Sequence, residues 1–203
     1  MIRPITSPFI KEACSIGSND SSIFFTIGHS TRPLEEFIAL LLEANVQLVI
    51  DVRSVPRLRT NPQYERDFLS RELAASQIGY EHLVALGGLR GRQRKVSLAV
   101  NAYWRNTSFH NYADYAMGQG FQDALTRLRE LGHKSTCTVI CAEAVWWRCH
   151  RRIIADYLLA AHEFVFHILG LGKVVPARIT LAARPGLRGT LTYQAPRTCK
   201  PKK

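Results

Sequence analysis

The stretch T-V-I-C-A-E-A-V-W-W-R-C-H-R-R-I-I-A-D-Y, Thr138 to Tyr157, decides the fold. Val139 and Ile140 close an apolar run that opens at Cys137, which reads as a buried strand. Ile153, Ile154, Tyr157, Leu158 and Ala161 recur at helical spacing. Between strand and helix lie two cysteines, one carboxylate, two tryptophans, one histidine and three arginines. Core packing has no need of that mixture. A strand-to-helix turn does place such residues at the carboxyl edge of a sheet, where α/β proteins hold their ligands.

Working outward, the same alternation repeats. Ile23–Ile27 is a short apolar strand, after which Gly28-His29-Ser30-Thr31 turns into a helix. Ser30 or Thr31 is placed to cap that helix, Pro33 suits its first turn, and Leu34, Phe37, Ile38, Leu41 and Leu42 form its stripe. Gln47–Val52 is a second strand ending near Asp51 and Arg53. The proline- and arginine-bearing stretch Ser54–Pro62 reads as an irregular loop. Tyr64, Phe68, Leu69 and Leu73 suggest a helix, Tyr80–Val84 a third strand, and Gly87–Arg94 a loop. Phe109–Met117 and Phe121–Leu131 read as helices and Phe164–Ile168 as the last short strand. Val174–Ile179 and Thr190–Tyr193 are expected to pair at an edge. The whole predicts an α/β, Rossmann-like three-layer fold with a mainly parallel sheet.

With 203 residues, of which 46% are hydrophobic, the chain reads as a single α/β domain over residues 22–193. A flexible leader over 1–21 precedes it and a basic tail over 194–203 follows. No apolar run approaches the roughly 20 residues that cross a bilayer, and no secretory signal opens the chain, so no membrane partner is expected. Five cysteines are too few, and an odd number, for a disulfide scaffold. A reducing compartment, the cytoplasm, is the expectation. The formal net charge of +11 suits anionic partners: a small molecule, a nucleotide or a nucleic acid. Part of it is local, since Arg184, Arg188, Arg197, Lys200, Lys202 and Lys203 lie in an acid-free C-terminal stretch.

Parallel strands put their carboxyl ends on one rim, so His29, Asp51 with Arg53, Cys141 with Glu143, and Cys149 to Arg152 are expected to converge. Cys149 and His150 sit where a helix begins. The unpaired N–H groups there favour anions and lower a thiol's pKa, and Arg148, Arg151 and Arg152 reinforce this. The bland alternative makes Cys141 and Cys149 buried apolar thiols, as Cys137 is expected to be. Glu143 is either a general acid or base or a hydrogen-bond partner. His29 is a base or merely a turn residue. Asp51 either faces the rim or pairs with Arg53 or Arg57. Of Trp146 and Trp147, one is expected to be exposed, where with Arg148 it could stack a ring. Cys141, Cys149, His150 and His29 would make a tetrahedral zinc set, but the spacing matches no paired-ligand pattern, so no metal is assigned. No cofactor is named by the sequence.

Several stretches together are similar to domain-of-unknown-function family 488. They are T-I-G-H-S-T-R-P-L-E-E-F (Thr26–Phe37), D-V-R-S-V-P (Asp51–Pro56), L-G-G (Leu86–Gly88), W-R-N (Trp104–Asn106), Y-A-D-Y (Tyr112–Tyr115) and C-A-E-A-V-W-W-R-C-H-R (Cys141–Arg151). The resemblance runs from about Ser22 to Tyr193. It supports Gly28, His29, Ser30, Asp51, Arg53, Cys141, Glu143, Cys149, His150 and Arg151 as signature positions without assigning them roles. The family is uncharacterised, and its paired cysteines hint at enzymes.

The sequence therefore predicts an enzyme acting on an anionic, nucleotide-like substrate. Cys149 or Cys141 would be the nucleophile or redox thiol, His29 or His150 the base, and Arg53, Arg148 and Arg151 the anion clamp. Ser30, Asp51 and Trp147 complete the substrate-binding set. The rivals are a nucleic-acid-binding module without chemistry and a structural metal site at the paired cysteines. Reaction and oligomeric state are not legible.

Overall fold

In the computed structural model, which describes residues 21–56 and 60–195, the apolar runs become one six-stranded sheet. Its strands are β1 (Ile23–Gly28), β2 (Leu48–Asp51), β3 (Gly79–His82), β4 (Cys137–Cys141), β5 (Phe164–Gly170) and β6 (Lys173–Pro176). The order is β3-β2-β4-β1-β5-β6, parallel throughout except for β6, which turns back along β5. A sheet covered on both faces needs side chains that are apolar both ways, and Phe24, Phe25 and Ile27 of β1 are all buried.

Helices α1 (Leu34–Glu43) and α2 (Arg66–Ala75) cover one face. Phe37, Leu40, Leu41, Leu69 and Leu73 pack there with Phe25, Ile27, Val49, Ile140 and Phe166. Helices α3 (Thr107–Ala116), α4 (Gln119–Gly132) and α5 (Arg151–Ala160) cover the other, with Phe24, Ile50, Val52, Val139 and Val165. This is the three-layer α/β arrangement that the alternation predicts. No helix of the described residues is long and apolar enough to cross a membrane.

The strand order places the site. β1 and β4 are neighbours, yet β1 runs on into α1 on one face and β4 into α5 on the other. Where adjacent parallel strands send their chains apart, a crevice opens at their carboxyl ends. The β4–α5 loop leans over the end of β1, with His29 N–H donating to the Cys141 carbonyl and Ser30 N–H to that of Ala142, both at 3.0 Å. Gly28 permits this closeness. A Cβ there would overlap the Glu143 carbonyl oxygen and lie 2.6 Å from that of Ala144. Gly28→Ala is expected to cost about 3 kcal/mol, because backbone rather than a flexible side chain must move. Urea unfolding measures it, and a loss below about 1 kcal/mol would contradict the close approach.

Some local expectations need correction. Neither Ser30 nor Thr31 caps α1. Pro33 is its N-cap, without a side-chain hydrogen bond, and Ser30 takes a positive φ of 51° to turn the chain. Leu42 is largely exposed and Leu40 takes its place in the stripe. The segments Val174–Ile179 and Thr190–Tyr193 do not pair with each other. Lys173–Pro176 extends the main sheet as β6, while β7 (Ala183–Pro185) and β8 (Leu191–Tyr193) form a separate two-stranded ribbon. A tight turn after Gly170 lets β5 and β6 pair locally, before the chain reaches residue 190. The expected leader up to residue 20, the tail from residue 196, and Arg57 and Arg59 lie outside the described residues.

Candidate functional site

Cys141 ends β4. A loop with a short helical turn at Trp146–Arg148 follows, Cys149 is extended, and His150 is the N-cap of α5. This geometry folds the loop back so that two sulfurs and an imidazole meet. His150 Nδ1 lies 3.7 Å from Cys149 Sγ and 4.0 Å from Cys141 Sγ, and all three atoms fall within 4.8 Å of one another. The His150 ring fills the space where Gly88 would carry a Cβ.

Beneath the sulfurs, Arg151 is 1% exposed. Its Nε donates to Cys149 Sγ at 3.2 Å and its Nη2 to the Glu143 carbonyl at 2.5 Å. Among the described residues no carboxylate forms an ion pair with it. A buried guanidinium needs an anion, and the sulfur it touches supplies one when ionised. Burial alone would push the Cys149 thiol up. The hydrogen bond from Cys141, the Arg151 charge and His150 outweigh it and hold Cys149 well below the usual thiol range. Cys141, which gives its S–H to Cys149 and is itself desolvated, is held well above that range. The two shifts run in opposite directions and favour the anion on Cys149 and the proton on Cys141. Cys137, buried in β4, is pushed up to about 12 by desolvation and is the inert core thiol expected.

Asp51 and Arg53 form a second, separate unit. Arg53 Nη2 meets Asp51 Oδ2 at 2.5 Å, both side chains being essentially inaccessible. Tyr80 Oη donates to the same carboxylate at 2.7 Å, Arg53 Nη1 to the Tyr64 carbonyl at 2.7 Å, and His82 Nε2 to the Arg53 carbonyl at 2.8 Å. The guanidinium charge is thus already matched by Asp51. His29 lies behind it, fully buried, its ring stacked on Tyr64 at 3.9 Å. Its Nδ1 bonds the Ser30 carbonyl at 2.9 Å, which puts the proton there and leaves Nε2 to face Arg53 Nη1 at 3.4 Å. Burial, with the Arg53 charge adding to it, lowers His29 to about 4 despite the bond to Ser30. It is neutral at pH 7 and supports Arg53.

A cleft of about 460 Å³ opens above these groups. Cys141, Cys149 and His150 form its floor, Val55, Leu89 and Phe109 its apolar walls, and Arg148 and Glu143 its exposed rim. Arg53, Ser54, Gly88, Ser108 and Ala142 complete the lining. Of the expected set, the cleft gathers Arg53, Cys141, Glu143, Arg148, Cys149 and His150. His29, Asp51 and Arg151 are buried behind it. Ser30 and Trp147 do not line it: Ser30 contributes backbone to the turn, and Trp147 is half-exposed, edge-on to Trp146, which stacks on His167. Arg152 points away, to Thr180 and over the Trp104 ring.

Tyr80 and the walls Val55, Leu89 and Phe109 escaped the sequence reading, for they sit outside any chemical spacing. Gly88 fell inside the L-G-G motif without a role. Chemically, the floor can present a thiolate nucleophile beside a proton-carrying imidazole. The same three donors could hold a thiophilic ion such as zinc, though the cationic Arg151 against Cys149 Sγ opposes a second positive charge. A family model described as "Domain of unknown function DUF488" matches residues 33–158, a span that holds Asp51, Arg53 and Cys141–Arg151 and begins after Gly28–Ser30. No curated protein and no solved structure matches.

Proposed function

Since the chain belongs to the DUF488 family, whose description carries no activity, we propose from the site itself that it is an enzyme in which the Cys149 thiolate attacks an anionic, nucleotide-like substrate held in the cleft. The observation that carries this is Arg151, buried with no carboxylate paired to it among the described residues and donating to Cys149 Sγ. A structural cysteine has no use for a buried cation; a nucleophile does. His150, in contact with both sulfurs, is the proton carrier. Arg148 on the rim meets the anionic group, and Val55, Leu89 and Phe109 suit a flat ring. Arg53, matched by Asp51, shapes the wall rather than clamping a second charge. The chemistry needs reduced thiols, as in the cytoplasm.

Alkylation by iodoacetamide, followed by peptide mass mapping, tests this. Cys149 is expected to react at a rate that stays flat from neutral to about pH 9 and falls only in acid, because its acidity is raised and the thiolate persists above its lowered pKa. Cys149→Ser removes the signal. A rate climbing through about pH 8.5, the ordinary thiol value, would overturn the reading. The exposed Arg92, Arg94 and Lys95, which follow the wall residue Leu89 in the chain, support a second reading, nucleic-acid binding without chemistry. Oligonucleotide affinity falling steeply with salt, together with ordinary thiol titration, would favour it.

A further inference from the structure

We propose that Cys141 is the resolving thiol of a two-cysteine redox centre, so that the cleft takes a small anionic disulfide, which Cys149 opens and Cys141 releases. This rests on the reading of Cys149 as nucleophile and on an anionic substrate, and puts a disulfide in place of the nucleotide-like group. Three observations carry it. Both sulfurs belong to the floor of one cleft and lie no more than 4.8 Å apart, although eight positions separate them in the chain. A single ring nitrogen, His150 Nδ1, reaches both, at 3.7 and 4.0 Å. Arg151 favours the anion on Cys149 specifically, since its Nε donates to that sulfur at 3.2 Å. An enzyme that only forms and hydrolyses a covalent intermediate has no need of a second thiol against the first. An exchange centre does, because attack by a neighbouring thiol frees the nucleophile without a second encounter.

The steps balance. The Cys149 thiolate attacks one sulfur of the disulfide R–S–S–R. A Cys149–S–S–R bond forms, the substrate S–S bond breaks, and R–S⁻ leaves with the electron pair. Cys141 then gives its proton to His150 Nδ1, in the tautomer whose other proton sits on Nε2, and its sulfur attacks that of Cys149. The Cys141–Cys149 bond forms, the second R–S⁻ departs, and it takes the proton from His150. The two protein sulfurs are oxidised by two electrons and the substrate disulfide is reduced to R–S⁻ and R–SH. Two equivalents of thiol run the reaction backwards and restore the centre. Cys137, buried in the sheet, takes no part.

The probe is glutathione disulfide, added to the reduced full-length chain, with acid quenching and peptide mass mapping at intervals. The wild type is expected to accumulate a Cys141–Cys149 linkage with only a transient glutathione adduct. Cys141→Ser is expected to trap the adduct on Cys149, its lifetime lengthened at least about a hundredfold, because intramolecular attack outruns millimolar thiol. Cys149→Ser should form neither. A wild-type adduct as long-lived as that of Cys141→Ser, or a linkage through Cys137, Cys14 or Cys199 instead, overturns the proposal. If iodoacetamide still labels Cys149 with a flat pH profile in that case, only the resolving role fails. If it does not, the nucleophile reading fails as well.

Discussion

Arg151→Met is expected to move the pH profile of Cys149 alkylation at least one unit towards alkali, slowing the reaction about tenfold or more on its acid side and leaving the alkaline plateau in place. The guanidinium Nε sits 3.2 Å from the sulfur and is 1% exposed. At an effective dielectric of about 20, unit charges that close interact by roughly 5 kcal/mol. Even half of that exceeds the roughly 1.4 kcal/mol that makes one pKa unit, hence tenfold in the thiolate wherever the pH lies below the Cys149 pKa. The same side chain ties the Glu143 carbonyl, so a stability loss of about 1–3 kcal/mol should accompany the change. The pH profile separates the two effects. A loosened loop lowers the rate at every pH, whereas a lost counter-charge moves the profile towards alkali. Arg151→Lys keeps a charge without the planar fork and should bring the profile part of the way back. A profile unchanged in Arg151→Met would show that the thiolate owes nothing to this residue.

Asp51→Ala is expected to remove about 3–5 kcal/mol of folding stability, the largest effect of any single change at the site. It strands Arg53, whose side chain is 3% exposed, as an unmatched buried cation, and leaves Tyr80 Oη without its acceptor. It also frees the wall of the cleft that Arg53 forms, so Cys149 reactivity should change in the fraction that stays folded. Removing both charges, as Asp51→Asn with Arg53→Leu, should restore part of the stability, because the cost lies in the orphaned charge more than in the lost pair. Urea unfolding of the wild type and these two variants decides this. A loss below 1 kcal/mol in Asp51→Ala would mean that water already reaches the guanidinium.

How far the sequence reaches is visible residue by residue. The central strand and α5 were legible because an apolar run and a helical stripe need no knowledge of partners. The meeting of Arg53, Cys141, Glu143, Cys149 and His150 followed from topology, since parallel strands end on a common rim. Direction did not follow. His29 leaves β1 at that rim, yet the left-handed turn at Ser30 and the Tyr64 ring hold it beneath Arg53. Arg151 and Arg152 are adjacent in the chain, and helical rotation sends one to the sulfur and the other to Thr180. The apolar walls come from two irregular segments, at Val55 and Leu89, and from the first turn of α3, at Phe109, whose relative positions depend on long-range packing. The ribbon of β7 and β8 has only three residues in each strand, too few for alternation to register.

The position of β1 carries a consequence for how the molecule is made. Its hydrogen-bonding neighbours are β4 and β5, so Ile27 lies beside Ile140 and Ile168, both more than a hundred residues later. As the polypeptide leaves the ribosome, the first strand has no edge to join until β4 has emerged, more than a hundred residues later, and its second edge stays open until β5 follows. Such distant pairings fold slowly and leave apolar surface open to chaperones and to aggregation meanwhile. Cys149 would then pass most of synthesis as an ordinary thiol, and its reactivity would appear only when the nearly finished chain closes.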